Sequence, residues 1–348
     1  MIKHLILSFC LMLVVVVVLL SIQRLAGLDT DLVVFRWPFL AAAVASHCLT
    51  LALMAARLTA ATGAGMRGFA GLFDMTVLHN FLLAFLPARM ADVYYPFLVA
   101  DRLESRLAAG VGNLVLLRLL DVAAISLIVV VTLPWAAADG LQSGSTALLL
   151  AAALGLAVVG VIWLEQGLAW AAVPIRGGAR RQRGRRQRRI FVILVQARGW
   201  VRGRSTGCRL MLAAVSVAAW LSSAMTYFLI FRGLGLNLDP AQAVLAAQLT
   251  ELAGALPVQT VAGIGAGEGV LAGFLVLFGS GMASAVVLAV WCRLAILGAI
   301  GALFMARALL IIGRGQTSGR GPITGQTLMK RLFGPVEALR GTATGSNA

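Results

Sequence analysis

Charge is what this sequence has least of. Only 12% of its 348 residues are Asp, Glu, Lys or Arg, about half the fraction usual in a soluble domain, and 60% are hydrophobic. The mean hydropathy is +0.94. Histidine is scarcer still: His4, His47 and His79 are too few and too scattered to suggest a metal site. The four cysteines, Cys10, Cys48, Cys208 and Cys292, fit no metal or thioredoxin-type spacing and read as packing residues. No Walker motif occurs, and no nucleophile has an adjacent base. These absences argue against soluble enzymology, and neither a cofactor nor a metal is implied.

What the sequence has is long apolar runs. Stretches at about 5–22, 37–58, 106–133, 145–164, 210–231 and 282–312 each reach the length needed to cross ~30 Å of hydrocarbon. The first follows Lys3 but ends in Ile22-Gln23-Arg24, which offers no small-x-small cleavage site, so it reads as a retained helix. Two further apolar regions are interrupted. Region 69–103 is broken by Leu86-Pro87-Ala88-Arg89-Met90-Ala91-Asp92. Region 240–280 is broken by Leu256-Pro257 and by Gly263-Ile264-Gly265-Ala266-Gly267-Glu268-Gly269. Proline removes a helix hydrogen bond and glycine loosens the backbone, so each region is expected to be two short half-helices. Unwound backbone at membrane depth survives only inside protein or beside water, which makes both regions re-entrant hairpins by expectation. The expected fold is therefore an all-α, polytopic membrane helical bundle of six full spans plus two re-entrant broken-helix hairpins.

Positive charge then assigns sides. Between Arg176 and Arg209 lie twelve arginines and no acid. This segment reads as a cytoplasmic loop, with a secondary reading as a contact for anionic lipid headgroups. Nucleic-acid binding is a poor fit, because the cluster has no RNA- or DNA-binding fold around it. The tail 313–348, with Arg314, Arg320, Lys330, Arg331 and Arg340, is expected to be flexible and cytoplasmic. Tracing back puts 134–144 outside, 59–68 with Arg57 and Arg67 inside, 23–36 outside and the N-terminus inside. The trace holds only if each broken region enters and leaves on one side. The cell membrane is the expected location.

The same trace exposes a repeat within the transmembrane region 1–312. Residues 37–133 and 210–312 each read as span, hairpin, span, and the two hairpins dip from opposite faces. Inverted repeats whose broken helices meet near the midplane are a recurrent plan of transporters. Each unit's last span carries an arginine deep in apolar sequence, Arg118 and Arg293. A lone charge there costs several kcal/mol, so it must be paired or face a wet cavity. Asp121, three residues after Arg118, offers an intrahelical partner; for Arg293 the nearest acids are Glu251 and Glu268. The hairpins add Asp74, His79, Asn80, Arg89 and Asp92 in one and Glu251, Gln259, Thr260 and Glu268 in the other. Such residues either satisfy unwound backbone or serve a ligand. Guanidinium groups and half-helix N-termini both suit phosphate.

The motifs Leu86-Pro87-Ala88-Arg89-Met90-Ala91-Asp92, Leu117-Arg118-Leu119-Leu120-Asp121 and Ala262-Gly263-Ile264-Gly265-Ala266-Gly267-Glu268-Gly269 resemble the lysylphosphatidylglycerol synthase transmembrane region. This flippase-like family includes proteins linked to hopanoid transport and archaeal glycolipid pathways. The resemblance runs over about residues 5 to 312 and places Arg89, Asp92, Arg118, Asp121, Gly265 and Glu268 on motif positions. Two departures stand out: Asp92 replaces a usual Glu, and Leu117-Arg118 replaces a usual acid–Arg pair. No aminoacyl-transferase domain follows the last span, so lipid lysinylation by this chain alone is not expected. The expected function is a lipid transporter or flippase handling a polar or anionic headgroup, with membrane lipid as partner and substrate contacts from Arg89, Asp92, Arg118, Asp121, Glu251, Gly265, Glu268 and Arg293. The alternatives are a membrane-embedded headgroup transferase or phosphatase, or an inactive partner of a lipid-synthesising enzyme.

Overall fold

Helix boundaries follow from local stop and start signals. In a computed structural model, residues 36–63, 65–85, 90–102, 107–138, 203, 205–254, 266–277 and 282–317 are described. Helix α1 (Trp37–Thr62) begins with Pro38 in its first turn, where a missing N–H costs nothing, and ends at Gly63. Gly63 has φ 72°, and its N–H donates to the Thr59 carbonyl at 3.0 Å, a left-handed stop that glycine adopts freely. Helices α2 (Gly65–Phe85) and α3 (Met90–Arg102) are separated by the Pro87 segment, and α4 (Leu107–Ala138) follows.

After the basic segment, Ser205 caps α5 (Thr206–Gly233) by accepting from the Cys208 N–H at 3.3 Å. Pro240 opens α6 (Pro240–Gly254) behind Asp239, whose carbonyl receives the Ala243 N–H at 2.9 Å. The Asp239 N–H in turn donates to Gln242 Oε1 at 3.2 Å, one half of a capping box. Helices α7 (Ala266–Leu277) and α8 (Met282–Thr317) complete the set.

All eight described elements are helical, and among the described residues four helices are long and apolar enough to cross a membrane: α1, α4, α5 and α8. They fall on the expected spans 37–58, 106–133, 210–231 and 282–312. The spans expected at 5–22 and 145–164 lie outside the described residues. Both broken regions do separate into two helices, α2–α3 and α6–α7, although the breaks themselves, 86–89 and 255–265, also lie outside. At its end α8 runs on to Thr317, five residues into the segment expected to be a flexible tail.

Packing centres on α1 against α5, which run antiparallel. The Arg36 N–H donates to the Gly233 carbonyl at 2.8 Å at one end, and Arg57 Nη1 donates to Ser216 Oγ at 3.0 Å at the other. Between these, Ser46 and Ser222 exchange bonds: each hydroxyl donates to the other's carbonyl, at 3.0 and 3.1 Å. The Thr50 hydroxyl reaches Ser222 Oγ at 3.0 Å, and the Thr226 hydroxyl reaches Ser46 Oγ at 3.1 Å. Around this pair α2 packs on α3 and α6 on α7, α3 on α4 and α7 on α8, and α4 on α6 and α2 on α8. Close approach is built in at Gly110 of α4, where a Cβ would lie 2.9 Å from the Pro96 Cα of α3. The larger apolar core joins α4 to α8 around Leu133, Phe231, Leu245 and Leu271, while a smaller one links α1, α2, α3 and α4 around Leu58, Leu82 and Val99.

Candidate functional site

The polar side chains that the sequence scatters between His47 and Arg293 converge on one space. A cavity of about 440 Å³ is lined by residues from all eight described helices, including Arg57 of α1, Asp92 of α3, Arg118 and Asp121 of α4, Glu251 of α6, Glu268 of α7 and Arg293 of α8. The neutral polar lining comes chiefly from α2, with His79 and Asn80, and from α5, with Trp220 and Tyr227.

Three arginines meet carboxylates here. Arg118 Nη2 donates to Asp92 Oδ1 at 2.6 Å, across from α4 to the first turn of α3. The other Asp121 oxygen stands 3.6 Å from Arg118 Nη1, so the expected intrahelical pair exists but is the looser of the two. Asp121 belongs more closely to Arg57, whose Nη1 donates to its Oδ1, the same oxygen that receives the Trp220 Nε1–H at 2.9 Å. On the far wall Arg293 Nε lies 3.4 Å from Glu268 Oε1, an ion pair without hydrogen-bond geometry. Glu251 accepts from the Tyr227 hydroxyl at 3.2 Å. His79 packs edge-on against Tyr95 with ring centroids 4.8 Å apart, and its Nε2 sits 3.4 Å from Asp92 Oδ1.

Local structure explains why the acids sit where they do. Asp92 and Glu268 both occupy the first turn of a short helix. There the unsatisfied N–H groups give the helix end a partial positive charge that stabilises a carboxylate. Gly267, beside Glu268, brings α7 close to α6: a Cβ there would lie 3.2 Å from the Thr250 carbonyl oxygen. Exposure separates the three cations. The Arg118 side chain is 34% exposed and that of Arg293 21%, whereas that of Arg57 is 5% exposed. Two of the cavity-lining arginine side chains therefore keep part of their surface exposed, and the third is locked in the wall.

Of the eight residues singled out from the sequence, six line this cavity; Arg89 and Gly265 lie outside the described residues. Nearly all of the basic segment 176–209 lies outside as well. Arg57 is the principal correction. Its place beside the expected loop 59–68 made it look like a topology charge, yet α1 continues to Thr62 and buries it at 4% exposure. The apolar run Leu58-Thr59-Ala60-Ala61 after it was the available signal. Trp220 and Tyr227 left no such signal, because an aromatic in an apolar span reads as packing until its polar atom is seen to have a partner.

Comparison with known proteins adds the family. No curated protein and no solved structure matches the chain. The family described as the lysylphosphatidylglycerol synthase TM region matches residues 5–303, which takes in the four long apolar helices and every charged residue of the cavity. On that match this integral membrane protein belongs to the lysylphosphatidylglycerol synthase transmembrane-region family.

Proposed function

We propose that the chain is a lipid transporter of the flippase type, which takes the polar, phosphate-bearing headgroup of a membrane lipid into this cavity while the acyl chains stay in the bilayer. The observation that carries the reading is that Arg118 and Arg293, from two different spans, line one cavity, each with its side chain only partly buried. A volume of about 440 Å³ is the size of a small-ligand site and suits a headgroup rather than a whole lipid. Burying seven charged side chains at membrane depth costs stability, and apolar side chains would hold the same helices together as well or better. The charges are therefore explained by a ligand. An entering phosphate competes with Asp92 and Glu268 for the planar donor forks, so pairing keeps the site stable when empty.

The same reading makes α2–α3 and α6–α7 the two re-entrant hairpins and makes 37–133 and 210–312 inverted repeats. Both termini and the 176–209 loop are cytoplasmic in this arrangement, and the cell membrane is its location. The Arg36–Gly233 hydrogen bond supports it by holding the start of α1 and the end of α5 at one level, as the charge trace requires. Trp37 and Trp135, 71% and 72% exposed, then both fall at the outer interface, where indole rings are favoured.

Translocation of phospholipids in reconstituted vesicles tests the proposal. Arg118→Lys and Arg293→Lys retain charge but lose the fork, and each is expected to slow translocation by about tenfold. Full activity in both folded variants rejects it.

A further inference from the structure

One carboxylate oxygen in the cavity stands before two groups that can carry positive charge. Asp92 Oδ1 accepts from Arg118 Nη2 at 2.6 Å and has His79 Nε2 at 3.4 Å. Arg118 is permanently charged, whereas an imidazole ordinarily gains or loses its charge between about pH 5 and 8. The His79–Asp92 contact therefore becomes an ion pair when His79 is protonated. His79 lies on the α2 face that lines the cavity, together with Thr76, Asn80 and Leu83. Helix α2 packs against α1, α3 and α8. The charged and titratable groups these helices bring to the cavity are His47 and Arg57 from α1, Asp92 and Tyr95 from α3, and Arg293 from α8. Asp92 is the sole acid in that set, and it stands where a charge on His79 would be met. His47, the other imidazole of the lining, has no hydrogen-bond partner at Nε2 among the described residues.

Charge counting points the same way. The described lining holds three arginines, at 57, 118 and 293, against four carboxylates, at 92, 121, 251 and 268. With the acids ionised and His79 neutral, these residues leave one negative charge in excess. An entering phosphodiester makes the excess two, and uncompensated charge at membrane depth is costly. A proton taken up with the phosphate restores the starting balance. Placed on His79 it does more, because a charged imidazole competes with Arg118 for Asp92 Oδ1 and loosens the pair that the phosphate must displace. We propose that His79 is the proton site of a proton–lipid symport: its imidazole takes up one proton as the headgroup phosphate settles on Arg118, and returns it to water when the phosphate leaves. The imidazole N–H is the only bond made and broken. Proton and phosphate raise each other's affinity by the same factor, so a pH gradient across the membrane biases the direction in which lipid moves. The inference rests on the headgroup reading for its second ligand and on the shared oxygen for its first.

The test counts protons and lipid together. The full chain, in weakly buffered detergent solution with a pH-indicating dye, is titrated with short-chain phosphatidylglycerol, whose phosphodiester stays singly ionised near neutral pH. Binding is expected to withdraw up to about one proton per lipid, and affinity to fall by up to about tenfold for each unit of rising pH. His79→Gln keeps an N–H donor for Asp92 but cannot titrate, and is expected to bind lipid without proton uptake and without pH dependence. Uptake that survives in folded His79→Gln places the proton elsewhere and overturns the proposal. Lipid binding by the unaltered chain without uptake, at every pH from about 5 to 8, overturns it too. If His79→Gln does not fold, NMR of the chain labelled with carbon-13 histidine decides, because the sequence has only three imidazoles. His4→Gln and His47→Gln identify the His79 resonance by elimination. Added lipid at fixed pH is expected to move that resonance toward the charged form, and an unmoved resonance overturns the proposal. Failure of the lipid to bind at any pH counts against the headgroup reading itself, and the symport falls with it. Binding without uptake rejects the proton coupling alone.

Discussion

Replacing Asp121 should damage the fold more than replacing the arginine it holds. Asp121 and Arg57 are almost fully buried, with side chains 8% and 5% exposed. Asp121→Asn removes the anion and leaves a guanidinium sealed in the wall with Ser216 as its remaining named partner, at 3.0 Å. Stranding one member of a buried ion pair costs about 3–5 kcal/mol. Arg57→Met strands the carboxylate instead, but that carboxylate keeps the Trp220 indole N–H at 2.9 Å and Arg118 at 3.6 Å. Retained charge-assisted contacts of this kind are each worth about 1 kcal/mol or more, so the loss should be nearer 1–2 kcal/mol. The double replacement Arg57→Met with Asp121→Leu should cost less than the two single losses together, because neither charge is then stranded. Equilibrium unfolding in mixed micelles, followed by tryptophan fluorescence, measures all three variants. Equal losses in the two single variants, or strict additivity in the double, would refute the assignment of Asp121 as a carboxylate shared among three helices.

Three further outcomes follow from the packing. Gly110→Ala should destabilise the protein by about 1–3 kcal/mol, since its Cβ would strike the Pro96 carbonyl of α3, while Gly71→Ala, with nothing within 4 Å, should be neutral; thermal unfolding separates them. Ser46→Ala and Ser222→Ala should each cost about 0.6 kcal/mol, and near-equal losses are expected because the two hydroxyls play exchanged roles. A cysteine placed in the 176–209 segment should be labelled from the cytoplasmic face alone, and labelling from outside would reverse the assigned orientation.

Residues that break a pattern were legible in the sequence; residues that complete a partnership were not. Pro87, Pro257 and the glycines at 263 and 265 interrupt apolar runs, and the described helices end before and resume after them, although Gly267 and Gly269 of the same glycine run fall inside α7. Arg118 and Arg293 stand out because charge inside a span has a cost that demands a reason, and the shared cavity supplies one. Asp121 was legible only in part. Its nearest cation by sequence is Arg118, yet its closest partner comes from α1, 64 positions away. No period or spacing encodes a contact between helices that meet only in the folded bundle. Arg57 was hidden for the opposite reason: near the end of a span, a buried cation and a topology cation look alike until the helix end is known.

The hydroxyl ladder between α1 and α5 contains two kinds of donor. Thr50 and Thr226 each also bond the carbonyl four residues back in their own helix, at 3.1 and 3.0 Å. Were the helices to shift, the two threonine hydroxyls would keep an acceptor on their own side, whereas the Ser46 and Ser222 hydroxyls, which donate across the seam, would lose theirs. A seam of interlocked leucines would have to climb over its own side chains to move, and a buried ion pair there would resist with its full desolvation cost. Four small hydroxyl residues thus join α1 to α5, two of them anchored in their own helix as well and two held only across the seam.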